Sequence, residues 1–163
     1  MQPEQVLQVM NDPLAQDLLH SDIPARLAYT GRDGSPRAIP VGFLWTGSHI
    51  VIGTAANSPK MHALQANPQV ALTIDTNTFP PHVLLVRGRA QVEIVEGVAP
   101  EYLEASKKYV PPEQWETFEQ QVRALYKQQG RIIIAPQWAK ILDFDTRMPQ
   151  AQEELVQQQR GPR

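Results

Sequence analysis

The chain has 163 residues, 42% of them hydrophobic, a formal charge of −2 and no cysteine. That length supports one buried core and is short for two, so a single domain over 1–163 is expected. With no basic run there is no electrostatic footprint for nucleic acid or for an anionic membrane surface, and without thiols there are no disulfides, thiolate nucleophiles, iron–sulfur clusters or cysteine-type zinc sites.

Residues 4–19 read as helix in two pieces. Asp12-Pro13 supplies a cap followed by proline at the first helical position, and Leu14, Leu18 and Leu19 then share a face. Residues 1–21 thus form an N-terminal helical segment. Its start, "MQPEQVLQVMNDPLAQ", has no apolar core of signal-peptide length, and no run of about eighteen apolar residues follows anywhere, so cytoplasm is the default location.

After Ile23-Pro24 the period changes to two. The runs "ARLAYTG", "PRAIPVGFLW" and "HIVIGTA", joined by the turns "RDGS" and "TGS", predict a three-strand meander. A short helix over "SPKMHALQANP" comes next, with Ser58 as its cap and Pro59 at its first position. "VALTID" is a fourth strand and "HVLLVRGRAQVEIVE" a long fifth, in which Gly88 marks a bend or a close backbone approach. Two helices follow, around Ala99 to Tyr109 and from the double proline to Gln129, the second ended by Gly130. The last strand, "RIIIAPQWAKILDF", contains Pro136, which needs an edge or a bulge because it has no N–H to give a ladder. Residues 145–163 are polar and glutamine-rich and read as a frayed or partner-dependent tail. Six such strands with few helices between them are best closed into a small barrel, since an open sheet leaves long edges unprotected.

Two stretches carry candidate chemistry. In "RAIPVGFLW" the face opposite Arg37, Ile39, Val41, Phe43 and Trp45 shows Ala38, Pro40, Gly42 and Leu44, of which the first three leave a flat strip of exposed backbone on which a planar ring can lie. Small residues there equally suit packing against a neighbouring helix or subunit. Lys60 falls in the first turn of the short helix, where unpaired N–H groups already make the potential positive and disfavour a second positive charge by ~0.3–1 kcal/mol. A phosphate held by those N–H groups, the Ser58 hydroxyl and Lys60, with Thr54 nearby, reverses the sign; an ordinary solvated lysine is the alternative. A ligand with a ring at one end and a phosphate at the other suits both stretches, and flavin mononucleotide (FMN) has that shape. His20, His49, His62 and His82 show no metal-ligand spacing, so no metal is assigned.

From the hairpin at "DGSP", the arginine-led strand, the "T…SxK" segment and "ANPQVALTI", residues 22–95 resemble the flavin-binding split β-barrel proteins related to pyridoxamine 5′-phosphate oxidase. The resemblance implies a mainly β (α+β) fold, a six-stranded antiparallel split β-barrel with flanking helices. It implies that Arg37, Ala38, Ile39, Pro40, Val41 and Gly42 run along the flavin, that Gly53 and Thr54 line the site, and that Ser58 and Lys60 hold the phosphate. It also implies a homodimer with cofactor sites at the interface, with Trp138, Phe79 and His82 reaching the partner's ring. Pro59 stands where the family's oxidases commonly carry arginine, which leaves the phosphate to Lys60, Arg37 and the helix end. The implied function is FMN-dependent redox chemistry on a small molecule. The alternatives are a reductase using the deazaflavin F420, a flavin- or haem-binding protein without turnover, and a plain dimeric barrel.

Overall fold

Two proline-started helices, α1 (Pro3–Met10) and α2 (Pro13–His20), open the chain, and Asp12 caps α2 by accepting a hydrogen bond from the Leu14 N–H at 2.9 Å. The computed structural model describes residues 1–160. β1 (Ala25–Thr30), β2 (Pro36–Val41), β3 (Leu44–Trp45) and β4 (Ile50–Ala55) follow, then α3 (Pro59–Ala66) and the strands β5 (Gln69–Asp75) and β6 (Val83–Glu96). The remainder is α4 (Pro100–Ser106), a 3-10 turn at Pro112–Gln114, α5 (Trp115–Leu125), β7 (Gln128–Leu142) and α6 (Gln150–Arg160).

The strands form one antiparallel sheet in the order β2-β1-β5-β6-β7-β4-β3, seven strands rather than the six expected. The difference lies in one segment. Residues 36–45 belong to both edges of the sheet: β2 pairs with β1, the chain turns at Gly42-Phe43, and β3 pairs with β4. The sheet therefore wraps until its two edges share a covalent link without a hydrogen-bonded seam, which is a split barrel.

Alternation places Leu27, Leu72, Ile74, Leu84, Ile132 and Ile134 inside, and Met10, Leu19 and Leu64 from the helices join them. Each such side chain contributes about 1.5–3 kcal/mol on burial. Pro136 sits at the expected bulge: Arg87 faces Trp138 while Gly88 faces Pro136, leaving Gln137 without a partner. A Cβ at Gly88 would overlap the Ala135 carbonyl, so the close approach requires glycine.

Three expectations need correction. Gly130 does not end a helix; α5 stops at Leu125, and Gly130 lies within β7, opposite Thr54 and Ile94, because β4 and β6 offer ladder partners on both sides of that strand. The helix expected around Ala99 to Tyr109 is shorter, Pro100–Ser106. Residues 150–160 of the expected tail form α6, while 161–163 lie outside the described residues. Among the described residues no helix is long and apolar enough to cross a membrane.

Candidate functional site

The ladder between β3 and β4 stops after Leu44–Val51, and the next same-phase rung, Gly42 against Gly53, is not made. Because Thr46 donates its N–H to the His49 carbonyl at 3.0 Å, antiparallel alternation aims the N–H and C=O of Gly53 into this gap. On the other side, Pro40 has no N–H to offer a pairing strand and Gly42 is exposed. A cavity of about 510 Å³ occupies the gap. Its walls are Pro40, Val41 and Gly42 after β2, Ile52, Gly53 and Thr54 of β4, Lys60 of α3, Asp22 and Pro24 before β1, and Tyr102, Ala105, Ser106 and Tyr109 on or just after α4. The volume is within the roughly 300–1,000 Å³ of small-molecule sites.

Lys60 is half-buried, and burial lowers the pKa of its ammonium. Among the described residues it belongs to no ion pair. A cation removed from water beside a helix N-terminus, with no carboxylate to offset it, is unfavourable unless a ligand supplies negative charge. Ser58 occupies the cap position of α3 but its side chain makes no capping bond; its Oγ instead accepts a long hydrogen bond, 3.5 Å, from Thr54 Oγ1. Extended backbone at Ser58 and the proline after it set the helix start, so the Ser58 hydroxyl is not used on the cap, and Thr54 lines the cavity with Lys60.

The wall made by α4 was not expected from the sequence. Added Cβ atoms at Gly53 and Gly42 would come 2.7 Å from Tyr102 Cβ and 3.3 Å from Tyr109 Cε2. The small residues thus do both things considered for them: they leave a flat cavity floor, and they seat the tyrosines of a neighbouring helix. α4 is held at each end by polar contacts. At its start Gln129 Oε1 accepts the Ala99 N–H at 2.9 Å, and Arg131 grips Glu101 while also pairing with Glu93 at 2.5 Å. Burial works against the Glu101 carboxylate, but the Arg131 hydrogen bond and charge hold its pKa below the ordinary value. Beyond its end, Lys108 donates to the carbonyls of Leu19 at 2.9 Å and Phe43 at 3.2 Å and lies over the Phe43 ring.

Of the residues singled out in the sequence, Pro40, Val41, Gly42, Gly53, Thr54 and Lys60 line this one cavity, with Ser58 behind Thr54. The others do not. Arg37, expected beside Lys60, pairs with Asp33 of its own hairpin at 2.7 Å and lines a separate surface pocket with Pro59 and His62. Ile39 packs against the core and Ala38 lies one strand step further out, beyond the lining. Trp138 is on the outer sheet, where the Arg87 guanidinium lies 4.3 Å from its ring centre. Phe79 is almost wholly exposed on the loop before β6, with His82 at the end of that loop. The residues that sequence reasoning missed had a signal: Tyr102, Ala105, Ser106 and Tyr109 follow the i, i+3, i+4, i+7 spacing of one helical face. Among the described residues no cluster of three or more potential ligands for a metal exists.

An uncompensated cation, unpaired backbone along a flat floor and aromatic walls fit a phosphorylated planar heterocycle. A family model for pyridoxamine 5′-phosphate oxidase matches residues 12–141. None of the curated proteins matches the chain significantly. Among solved structures, an F420 reductase is 23% identical with a TM-score of 0.58, covering 77% of this chain and 94% of that one. HutZ, the haem storage protein from Vibrio cholerae, is 13% identical at a TM-score of 0.57, covering 80% and 93%. An FAD-binding protein from Mesorhizobium loti is 15% identical at 0.50, covering 86% and 94%. At these identities the likeness is one of fold.

Proposed function

Because the chain belongs to the pyridoxamine 5′-phosphate oxidase family, we propose that it is an FMN-binding redox protein acting on a small molecule, with the cofactor in the cavity at the split of the barrel. The observation that carries this reading is Lys60, half-buried in that cavity with no negative partner among the described residues. Lys60 holds the phosphate, with the Thr54 and Ser58 hydroxyls beside it. The free backbone of Gly53 addresses the ring edge, and the apolar side chains of Val41 and Ile52 keep water from the floor. When bound, FMN supplies the capacity to accept and return electrons; no side chain need act as acid or base for that. Tyr102 and Tyr109 bound the space left for substrate.

A second reading exchanges FMN for the deazaflavin F420, and the fold shared with an F420 reductase supports it. A homodimer is part of the proposal, because the cavity opens at a sheet edge, and Trp138, Phe79 and His82 are available to a partner from outside it. The test is reconstitution. The purified chain is titrated with FMN and F420, the absorbance spectrum of each retained complex is recorded, and reduction by NADPH is followed, with light scattering giving the mass. A retained FMN spectrum that bleaches on reduction, in a particle of twice the chain mass, is expected. Retention of F420 alone selects the second reading, and retention of neither refutes both.

A further inference from the structure

The cavity has another polar end that the phosphate does not use. Ala25 faces Val41 in the β1–β2 register, so one step further Pro24 lies beside Gly42. Gly42 in turn faces Gly53 across the unmade rung. The row Gly53, Gly42, Pro24 therefore crosses the floor, with the cavity lying between its first two members where the rung is unmade. Thr54 follows Gly53 at one end of this row, with Lys60 on the same cavity wall, and the exposed Asp22 precedes Pro24 at the other. The electrostatics agree with that separation: burial alone accounts for the lowered pKa of Lys60, whereas Asp22 acts on Tyr109. Burial first, and the Asp22 charge second, push the Tyr109 phenol up, so it stays a hydrogen-bond donor at neutral pH. Among the described residues Asp22 belongs to no ion pair, and Tyr109, 42% exposed, leans on the backbone at Gly42.

We propose that Asp22 and Tyr109 read the head of the ligand: they receive a planar heterocycle whose far edge carries an N–H beside a carbonyl, Asp22 accepting the N–H and the Tyr109 hydroxyl donating to the carbonyl. This rests on the flavin reading above, in which that edge is the N3–H of the pyrimidine ring and its adjacent carbonyls. The cavity is then polar at its two ends with an apolar floor between them, cationic where an anion enters and anionic where a donor is required. A head with acceptors alone meets an uncompensated carboxylate and is disfavoured.

The test uses the full chain with FMN and with 3-methyl-FMN, in which a methyl group replaces the N3 proton. Equilibrium titrations followed by flavin fluorescence compare wild type, Asp22→Ala, Tyr109→Phe and Lys60→Met. Methylation is expected to weaken binding to wild type by about ten- to a hundredfold, the range of a hydrogen bond to a charged group. In Asp22→Ala the penalty collapses to within about threefold, while Tyr109→Phe weakens both ligands alike. Asp22 is exposed, so its replacement leaves the fold intact, and the melting temperature of each variant checks this. A methylation penalty that persists undiminished in Asp22→Ala overturns the assignment, while FMN affinity that still falls in Lys60→Met leaves the flavin reading standing. No binding of FMN to wild type overturns both.

Discussion

Replacing Lys60 by methionine separates a ligand-binding lysine from a structural one, because the two expected effects have opposite signs. In the free protein the ammonium is half-buried without an ion-pair partner among the described residues, so its removal leaves stability unchanged or slightly raised. Toward FMN, the loss of one hydrogen bond between charged groups costs about 1.5–3 kcal/mol, or roughly 10- to 150-fold in Kd. At a concentration one hundred times the wild-type Kd, FMN adds about 2.7 kcal/mol to the stability of the native protein. For a chain of this length that is roughly 5–10 °C in Tm, shrinking to about 1–5 °C in the variant. The assay is a thermal melt with and without FMN, repeated with riboflavin, which has the ring but no phosphate. Riboflavin should shift both proteins equally. An FMN shift preserved in Lys60→Met, or a riboflavin shift lost with it, refutes the placement of the phosphate.

Three further outcomes follow from the same geometry. Lys60 binds phosphate as the ammonium, and its pKa is lowered by burial, so wild-type FMN affinity should fall as pH rises, below the range in which ordinary lysines titrate, and in fluorescence titrations between about pH 7 and 10 the Lys60→Met profile should lack that decline. In the free protein the linkage runs the other way: a depressed lysine pKa means that stability is gained, not lost, as pH rises through the folded value, which a pH series of melts checks. Gly53→Ala puts a methyl group 2.7 Å from Tyr102 Cβ, which only a shift of α4 can relieve, and should cost about 1–3 kcal/mol as read by chemical denaturation. Lys108→Met releases the carbonyls of Leu19 and Phe43, and should speed amide exchange across α4 while β6 and β7 keep their protection.

What the sequence made legible was local in cause. Proline after Ser58 and after Asp12 started helices where expected, because a missing N–H costs nothing at a first turn. Pro136 announced the bulge that the β6–β7 register contains, because a residue without a donor cannot keep a regular rung. Gly130 misled for the complementary reason: a glycine after a helical run suggests a stop, but its Cβ is excluded by Met61 of α3, which is 2.7 Å away at the sulfur and more than 60 residues distant in the chain. Arg37, at the head of its strand, pairs with Asp33 across the hairpin turn and shares a second pocket with Pro59 at the start of α3, a placement the order of strands alone does not give. The face of α4 was present as a spacing, but a spacing does not say which glycines it will cover.

Residue order by itself determined where most strands run, the proline-started helix that presents Lys60, and the small residues at 38, 40 and 42, since these depend on side-chain alternation, backbone freedom and missing donors within a few residues. Only the tertiary structure decided that Gly42 and Gly53 would face each other without pairing, that α4 would wall the space between them, and that Asp22 and Lys60 would line the same cavity. Those facts depend on how far the sheet curls before its edges meet, and that curvature is set by the packing of the whole core rather than by any one segment.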